Sequence, residues 1–171
     1  MAITEFNLGN KQSAERKLLV TAVNVGTVAS PVWEPIGVEI EDSSVEFNAD
    51  VQTVTDILGV TTTRINKMEL QQSFEPYTVK GGSKLAAKLE DIVQRNALTE
   101  FGAFDVLLIR GYIGSSALNA EKHANCTVVP TSLGGSSTVD MPITVYFSND
   151  KTLGTVNDYK GAITFTPTSE S

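Results

Sequence analysis

The sequence is poor in the residues that build disulfides and reactive sites, because its 171 residues include one cysteine and one histidine. Cys126 alone cannot form an internal disulfide, which predicts assembly in a reducing cytoplasm. No apolar run approaches the length needed to cross a bilayer, so we expect no membrane insertion by this chain. Residues 1–6 lack a basic region followed by an apolar stretch, and we therefore expect no secretory signal.

The single histidine limits the chemistry that the chain can support. A Ser-His-Asp triad would need His123, but the Gly-x-Ser-x-Gly elbow is missing, and a lone histidine in a polar segment is more typically solvated than catalytic. His123 and Cys126 have a spacing that metal sites use, yet two ligands do not make a tetrahedral site. We therefore predict no catalytic, metal or cofactor site. A hydrolase with an unrecognised site at His123 stays as an alternative.

Basic residues are also scarce, since 13 Lys and Arg face 20 Asp and Glu and the net charge is −7. The Lys and Arg residues are scattered, with no basic stripe. A negative chain gains little from counterion release, so it should repel DNA rather than bind it tightly.

Alternating strands dominate what the sequence does contain. Residues 36–41 and 45–52 alternate apolar with polar side chains, which is the period of a half-buried strand. Residues 60–77 form a long, Thr-rich and β-compatible stretch with few residues that could anchor a core. We predict a mainly β (α+β) fold with a long hairpin that projects from the domain.

This hairpin cannot bury enough apolar surface alone, and we expect another copy of the chain to complete its pairing. The alternative is a loose surface hairpin on a monomer. Disordered loops are generally poorer in β-branched residues than this segment, in which these are Val51, Thr53, Val54, Thr55, Ile57, Val60, Thr61, Thr62 and Thr63.

One helix is predicted over residues 83–97. Two glycines break the preceding strand, and Ser83 is a suitable N-cap. The apolar residues recur at helical spacing on one face, and the predicted core face consists of Leu85, Leu89, Ile92 and Val93.

Beyond the helix the chain returns to strands. Residues 104–109 are apolar on both faces, as expected of a central strand that is covered on both sides. Residues 143–148 alternate like a half-buried strand, and residues 162–165 are the last strand candidate. We expect the tail, residues 166–171, to be unstructured unless a neighbour holds it.

The order of these segments resembles the major tail tube proteins of tailed bacteriophages. The resemblance is carried by residues 32–39 (VWEPIGVE), by the loop 50–59 with its end TDILG, by residues 74–77 (FEPY) and by the helix residues 88–96. It covers residues 19–113, whereas residues 117–137 have no obvious counterpart and could be an added surface feature or part of ring packing.

The resemblance implies a β-sandwich-like barrel of two packed antiparallel sheets with one flanking helix. It implies a single domain, residues 1–171, with an N-terminal arm (1–18) and a C-terminal tail (166–171), that forms hexameric rings stacked into a hollow tube. The loop that would reach an adjacent ring consists of Asp50, Val51, Gln52, Thr53, Val54, Thr55, Asp56, Ile57, Leu58 and Gly59.

The resemblance further implies partners and a location. Such tubes assemble in the host bacterial cytoplasm around a tape measure protein, are closed by a tail terminator, and conduct double-stranded DNA in the virion. The acidic balance suggests that carboxylates line the lumen and keep phosphates from sticking. The candidates are Glu39, Glu41, Glu46, Glu69 and Glu75.

Two other interpretations stay open at this point. Tubes of type VI secretion and of phage-like bacteriocins share this architecture, and the segment order alone does not exclude them. Nothing in the sequence separates a non-contractile tail from the inner tube of a contractile one. A β-sandwich binding module, such as a capsid decoration or adhesin domain, would form a discrete small particle instead of a tube.

Overall fold

The computed structural model describes residues 6–114, 116–159 and 161–169. One α-helix, α1, spans Lys84–Arg95, and two short 3-10 helices span Arg16–Leu18 and Leu98–Gly102. The strands are β1 (Leu19–Asn24), β2 (Trp33–Ile36), β3 (Val45–Glu46), β4 (Ala49–Thr55), β5 (Thr61–Met68), β6 (Gln71–Phe74), β7 (Phe104–Gly114), β8 (Leu118–Pro130), β9 (Ile143–Tyr146), β10 (Lys151–Val156) and β11 (Phe165–Pro167).

Nine of these strands form one curled antiparallel sheet, and β4 and β5 form a separate two-stranded hairpin. The first half of β8 lies between β7 and β10, with β1, β2 and β11 further out. Beyond Asn125, whose φ is 55°, the same strand continues to β9, and β6 and β3 follow. The prediction of a mainly β fold with one helix and a projecting hairpin is confirmed, and the two layers are continuous through β8.

Strand β8 therefore corrects one expectation about residues 117–137. These residues had no obvious counterpart, and an added surface feature was one of the two expected alternatives, but residues 118–130 form the longest strand of the described chain. Mixed polarity arises because β8 buries both apolar and ionised side chains along its length, including Ala120, Glu121 and Val128.

The central strand β7 is covered on both faces, as predicted. Phe104, Val106 and Leu108 point into the main core, which lies between the two layers and beneath the helix. Leu107 and Ile109 point the other way, into a smaller cluster. Covering both faces buries the continuous run from Val106 to Ile109.

Helix α1 begins and ends as its sequence suggests. The Ser83 Oγ accepts a hydrogen bond from the Ala86 N–H at 3.2 Å, and Asn96 closes the helix in the left-handed conformation. The buried residues are Leu85, Ala86, Leu89 and Ile92. Val93 was expected on this face but is 47% exposed. Ala86 takes the fourth buried place, because it lies one residue after Leu85 and turns toward the sheet.

A side chain from β2 also caps this helix. The Glu34 carboxylate accepts hydrogen bonds from the Lys84 and Leu85 N–H groups, both at 3.0 Å, and from the Ser83 hydroxyl at 2.7 Å. A carboxylate at a helix N-terminus is stabilising because it satisfies free donors and faces the positive end of the helix dipole. Glu34 thus fixes the helix against the edge strand of the sheet.

Two predicted strands end earlier than their alternation suggested. The strand expected over residues 36–41 stops at Ile36, and the chain turns at Gly37 and Glu39, which have φ of 151° and 62°. The strand expected over 45–52 is divided at Asn48, whose φ is 47°. Positive φ breaks a strand without changing the polar and apolar alternation, so the sequence pattern continues through the turns. The stretch 60–77 likewise divides into β5 and β6.

The C-terminal segment is held by the chain itself, which corrects the expectation of an unstructured tail. The last strand is β11, rather than residues 162–165, and it pairs with β10. Beyond it, the Thr168 N–H donates to the Leu153 carbonyl at 2.9 Å. Residues 170–171 of the predicted tail and 1–5 of the predicted arm lie outside the described residues. The arm residues Phe6 and Asn7 contact Tyr112 at the end of β7.

We predict that Leu89→Ala lowers the free energy of unfolding by about 2–5 kcal/mol, because it leaves a cavity in the main core. The control Val93→Ala, one helical turn further on, should change it by less than about 0.5 kcal/mol because Val93 is half exposed. Urea unfolding followed by circular dichroism measures both. Equal losses in the two variants would contradict the packing described for the helix.

Candidate functional site

The β4–β5 hairpin stands apart from the body of the protein. Every residue of both strands is exposed, and these include Val51, Val54 and Ile65. An isolated two-stranded hairpin of this length is marginally stable in water. Its many β-branched side chains therefore lie without a packing surface in the single chain.

The two faces of the hairpin differ in chemistry. The register pairs Val51 with Ile65, Thr53 with Thr63, and Thr55 with Thr61. On this face the Thr pairs are joined by side-chain hydrogen bonds of 3.3 and 3.1 Å, and no residue is charged. The opposite face is polar. There the Gln52 Oε1 accepts from Arg64 at 3.0 Å, and the Asn66 Nδ2 donates to Asp50 at 3.3 Å.

The ladder leaves backbone groups open along both edges. The Asp56 N–H donates to the Val60 carbonyl at 3.0 Å. This bond makes Asp56–Val60 a hydrogen-bonded pair. Hydrogen-bonded and non-hydrogen-bonded pairs alternate in an antiparallel ladder, so Thr55–Thr61 and Thr53–Thr63 are non-hydrogen-bonded pairs. The N–H and C=O groups of these four threonines point outward, where another strand could pair with them.

The tip of the hairpin is a fixed turn. The Asp56 Oδ1 accepts hydrogen bonds from the N–H groups of Leu58 and Val60, both at 2.9 Å. Gly59 adopts a φ of 78°, and its N–H donates to the Asp56 carbonyl. Ile57 is fully exposed and Leu58 is 83% exposed. The turn thus presents two aliphatic side chains at the far end of the hairpin.

A cleft of about 360 Å³ opens at the base of the hairpin, where it meets the body. Its apolar wall consists of Phe47, Ile65, Met68 and Leu70. The first three of these are between 39% and 60% exposed. The opposite wall is polar and consists of Arg110, Glu121, His123, Ser148, Asn149 and Lys151, and the side chains of Asn66 and Lys67 complete the lining.

The polar wall is built around a buried carboxylate. Glu121 pairs with Arg110 across β7 and β8, and its second oxygen lies 3.1 Å from His123 Nε2 and 3.5 Å from Lys151 Nζ. Burial by itself would raise the pKa of Glu121, but the hydrogen bond to His123 and the charges of Arg110 and Lys151 lower that pKa to about 2. Glu121 is therefore ionised at neutral pH and joins three strands.

His123 is buried, which corrects the expectation that it is solvated. Its side chain is 1% exposed, and Nδ1 donates to the Ser148 carbonyl at 2.8 Å. Phe147 packs edge-on against the ring, with centroids 5.1 Å apart. Phe147 and Ser148 lie between β9 and β10, far from His123 in sequence, so the polar sequence around His123 gave no sign of these contacts. The Nε2 partner, Glu121, lies two residues earlier on β8. With both ring nitrogens bonded inside the fold, His123 acts as a structural residue here.

The other chemistry suggested around this histidine has little support. Cys126 is fully buried, and burial raises the pKa of its thiol, which keeps it protonated. Across residues 6–114, 116–159 and 161–169, no group of three His, Cys, Asp or Glu side chains is placed to hold a metal ion. No helix in those same ranges is long and apolar enough to cross a membrane.

The five candidate lumen carboxylates are all exposed, and four of them lie on or near β3 and β6. Glu46 is in β3, Glu69 and Glu75 flank β6, and Glu41 is in the loop that leads to β3. Glu39 lies in the turn after β2. Glu39 pairs with Lys80 at 2.7 Å and Glu69 pairs with Lys67 at 2.8 Å. The structure thus brings four of the carboxylates to one edge of the sheet, next to the hairpin.

Sequence reasoning missed two charged residues that organise the site. Glu34 caps the helix from a distant strand, and Glu121 supports the cleft from within β8. From sequence alone, an acidic residue in a strand is interpreted as exposed when its partner is unknown. The one available signal was position along the strand. Successive side chains point to opposite faces, so Glu121 lies on the face opposite Ala120 and Lys122.

Comparison with known structures identifies the architecture. The sheath/tube terminator of an extracellular contractile injection system matches 85% of this chain and 99% of its own, at 14% identity and a TM-score of 0.52. The tube-terminating cap of the anti-feeding prophage matches 91% of this chain and 99% of its own, at 16% identity and a TM-score of 0.51. A chain of an injection-system sheath-tube complex in the extended state matches 85% of this chain and 94% of its own, at 13% identity and 0.50.

These likenesses concern the fold, since the identities are low. No family model matches the sequence, and no curated protein does. The three proteins show that an antiparallel sheet and helix of this kind occur in phage-tail-like particles.

We predict that Glu121→Gln destabilises the protein in a pH-dependent way. At pH 7 the loss should be about 3 kcal/mol, because Arg110 loses its buried counter-ion. The pKa of Glu121 is lowered by folding, so its contribution is complete above the unfolded value of about 4.3 and disappears as the pH falls toward 2. The difference between variant and parent should therefore shrink across this interval.

Urea unfolding at pH 7, 4.5 and 2.5 measures the effect. Glu46→Gln is the matched control, because Glu46 is exposed and has no ion-pair partner among the described residues. It should change stability little at each pH. A loss for Glu121→Gln that is equal at pH 7 and pH 2.5 would show that the carboxylate charge is not what stabilises this wall.

Proposed function

We propose that this protein is a structural subunit of a phage-tail-like tube, and that it assembles with copies of itself through the β4–β5 hairpin. The observation that carries the proposal is the contrast between the edges of the main sheet and those of the hairpin. Open strand edges pair with other chains unless something blocks them. The edges of the main sheet are blocked, whereas those of the hairpin are open.

The edges of the nine-stranded sheet are blocked. Edge strand β2 contains Pro35 and edge strand β11 contains Pro167. The third edge, β3, is two residues long. Proline and very short edge strands are devices that prevent the addition of a further strand. Pairing with another copy is therefore disfavoured at these places.

The hairpin has none of these devices over residues 51–63. This segment contains no proline, and its one charged residue is Asp56 at the tip. The outward backbone groups of Thr53, Thr55, Thr61 and Thr63 are free to continue a sheet into the next copy. A ring closes such edges completely, which is why a cyclic assembly suits a hairpin that would otherwise aggregate.

The matched structures support the class of particle. Each belongs to a contractile injection system or to the anti-feeding prophage, and each is described as a terminator, a cap or part of a sheath-tube complex. Together with the resemblance of residues 19–113 to tail tube proteins, they favour hexameric rings that stack around a lumen. The proposed partners are the chain itself, a tape measure protein and a tail terminator, with double-stranded DNA passing through.

A second candidate is the terminator itself. Two of the matched proteins are terminating components, and almost their entire chains are covered. A terminator would form one discrete ring, whereas a tube subunit would form stacks of many rings. Both are non-enzymatic assembly roles, and both differ from a β-sandwich binding module, which would remain a small particle without using the hairpin.

Negative-stain electron microscopy over a concentration series tests this proposal. We expect hollow tubes or rings of uniform width for the parent, and single rings alone would favour the terminator. Thr63→Pro should prevent assembly while the domain stays folded, because it removes an outward N–H and keeps the hairpin ladder.

Thr63→Val is the matched control for that variant, since it retains the N–H and a β-branched side chain, and it should assemble. A small uniform particle at every concentration of the parent, or assembly by Thr63→Pro, would overturn the proposal.

We also propose that the exposed carboxylates near β3 and β6 line the lumen. No described ion pair involves Glu41, Glu46 or Glu75. In the tube their charges would repel the phosphates of passing DNA. The triple variant Glu41→Lys, Glu46→Lys and Glu75→Lys should retain double-stranded DNA at about 50 mM salt and release it by about 200 mM, because phosphate binding weakens steeply with salt.

The parent assembly should retain no DNA at either salt concentration, as measured by co-sedimentation with short duplexes. A control with the same charge change at Glu90, Glu100 and Asp150 places the new lysines on the helix side and in the β9–β10 turn. Retention by the control equal to that of the triple variant would mean that the location of the carboxylates does not matter.

A further inference from the structure

The hairpin tip presents two exposed aliphatic side chains on a fixed turn, and we call Ile57 and Leu58 the plug. Ile57 and Leu58 project from a turn that Asp56 fixes with two hydrogen bonds, so little conformational freedom is lost when they are buried. Both are almost completely exposed in the single chain. Two adjacent aliphatic side chains held in this way are suited to bind an apolar surface.

The cleft at the hairpin base fits this plug better than the other two large clefts of the described chain. Its wall contains three half-exposed apolar side chains, those of Phe47, Ile65 and Met68. The large apolar residues of the cleft beside Trp33 and of the cleft beside Phe74 are more deeply buried, apart from Val28 in the first. The volume of the base cleft, about 360 Å³, exceeds that of two aliphatic side chains.

Charge also matches between tip and cleft. The tip carries one charge, the carboxylate of Asp56. The cleft is lined by Lys67, Arg110 and Lys151 and by the carboxylate of Glu121. Glu69 pairs with Lys67 at 2.8 Å, so these three cations face two carboxylates and the balance is positive. An acidic tip is therefore attracted to the cleft, and this complementarity selects the orientation of the incoming hairpin.

The tip cannot reach the cleft of its own chain. Strand β4 has seven residues, which separates the two ends of the hairpin by about 23 Å at about 3.3 Å per residue. A tip that occupies the cleft must therefore come from another copy. A copy that receives a tip keeps its own tip free at the opposite end.

We infer that the Ile57–Leu58 tip of one copy binds in the cleft formed by Phe47, Ile65 and Met68 of the next copy. This contact is head-to-tail, and a head-to-tail contact either closes into a ring or repeats along an axis. In the proposed tube it repeats along the axis and links successive rings. The inference rests on the proposed function, because it assumes that the chain assembles with itself. It adds the receptor surface and the direction of stacking.

A disulfide experiment tests the contact. The variant Leu58→Cys/Met68→Cys, in a Cys126→Ala background, carries one cysteine on the tip and one in the cleft. Cysteines bridge when their Cα atoms are within about 7 Å, so a bridge within one chain is excluded by the length of the hairpin. Mild oxidation of the assembled protein should give a ladder of covalent multimers on a non-reducing gel.

The matched control is Leu58→Cys/Leu98→Cys in the same background, because Leu98 is exposed but lies after the helix. We expect at least about tenfold more multimer from the cleft pair than from this control. Tubes or rings in the microscope with equal or absent ladders would overturn the inference and leave the proposed function standing. Absence of any assembly would overturn both.

Discussion

Backbone hydrogen bonding is the constraint on which the rest of this structure depends. A strand is stable only when its N–H and C=O groups have partners. Within the body the chain meets this requirement by passing β8 through both layers and by ending its edges with Pro35, Pro167 and the two-residue β3. In the hairpin it leaves the requirement unmet. The body thus closes its own edges, while the hairpin has the open edges that the proposed assembly uses.

The junction between these two parts is where charge is buried. Glu121 and Arg110 join β7 to β8 at the base of the hairpin, and Lys151 adds β10. In the proposed assembly, ion pairs at this junction would hold the hairpin in one direction and so determine the direction in which copies add. The hairpin supplies Ile65 and Met68 to the apolar wall, and the body supplies the polar wall, so the complete cleft needs both parts.

Local features of the sequence were sufficient to predict some elements. The start of α1 was predictable because Ser83 caps its own helix, and β7 was predictable because its residues are apolar on both faces. The hairpin was predictable from its β-branched residues. Its division into a charge-free and a polar face was not, because it depends on a register that shifts between Asp50 and Val51.

The remaining errors have a common physical origin, which is contact between residues distant in sequence. The burial of His123 depends on Phe147 and Ser148, and the order of the C-terminal segment depends on β10. The strand expected beyond Ile36 failed for a different reason. The alternation of apolar and polar residues continues through a turn in which Glu39 has a positive φ. The polarity of the side chains does not reveal the backbone φ.

Hydrogen exchange of individual hairpin amides, compared between unassembled and assembled protein, tests the central claim most directly. The outward amides of Thr53, Thr55, Thr61 and Thr63 have no partner strand in the single chain, so they should exchange rapidly before assembly and slowly afterwards. Amides of β7 should be protected in both states and serve as the reference. Assembled particles in which the hairpin amides still exchange as rapidly as in the single chain would contradict the account, because another surface would then hold the copies together.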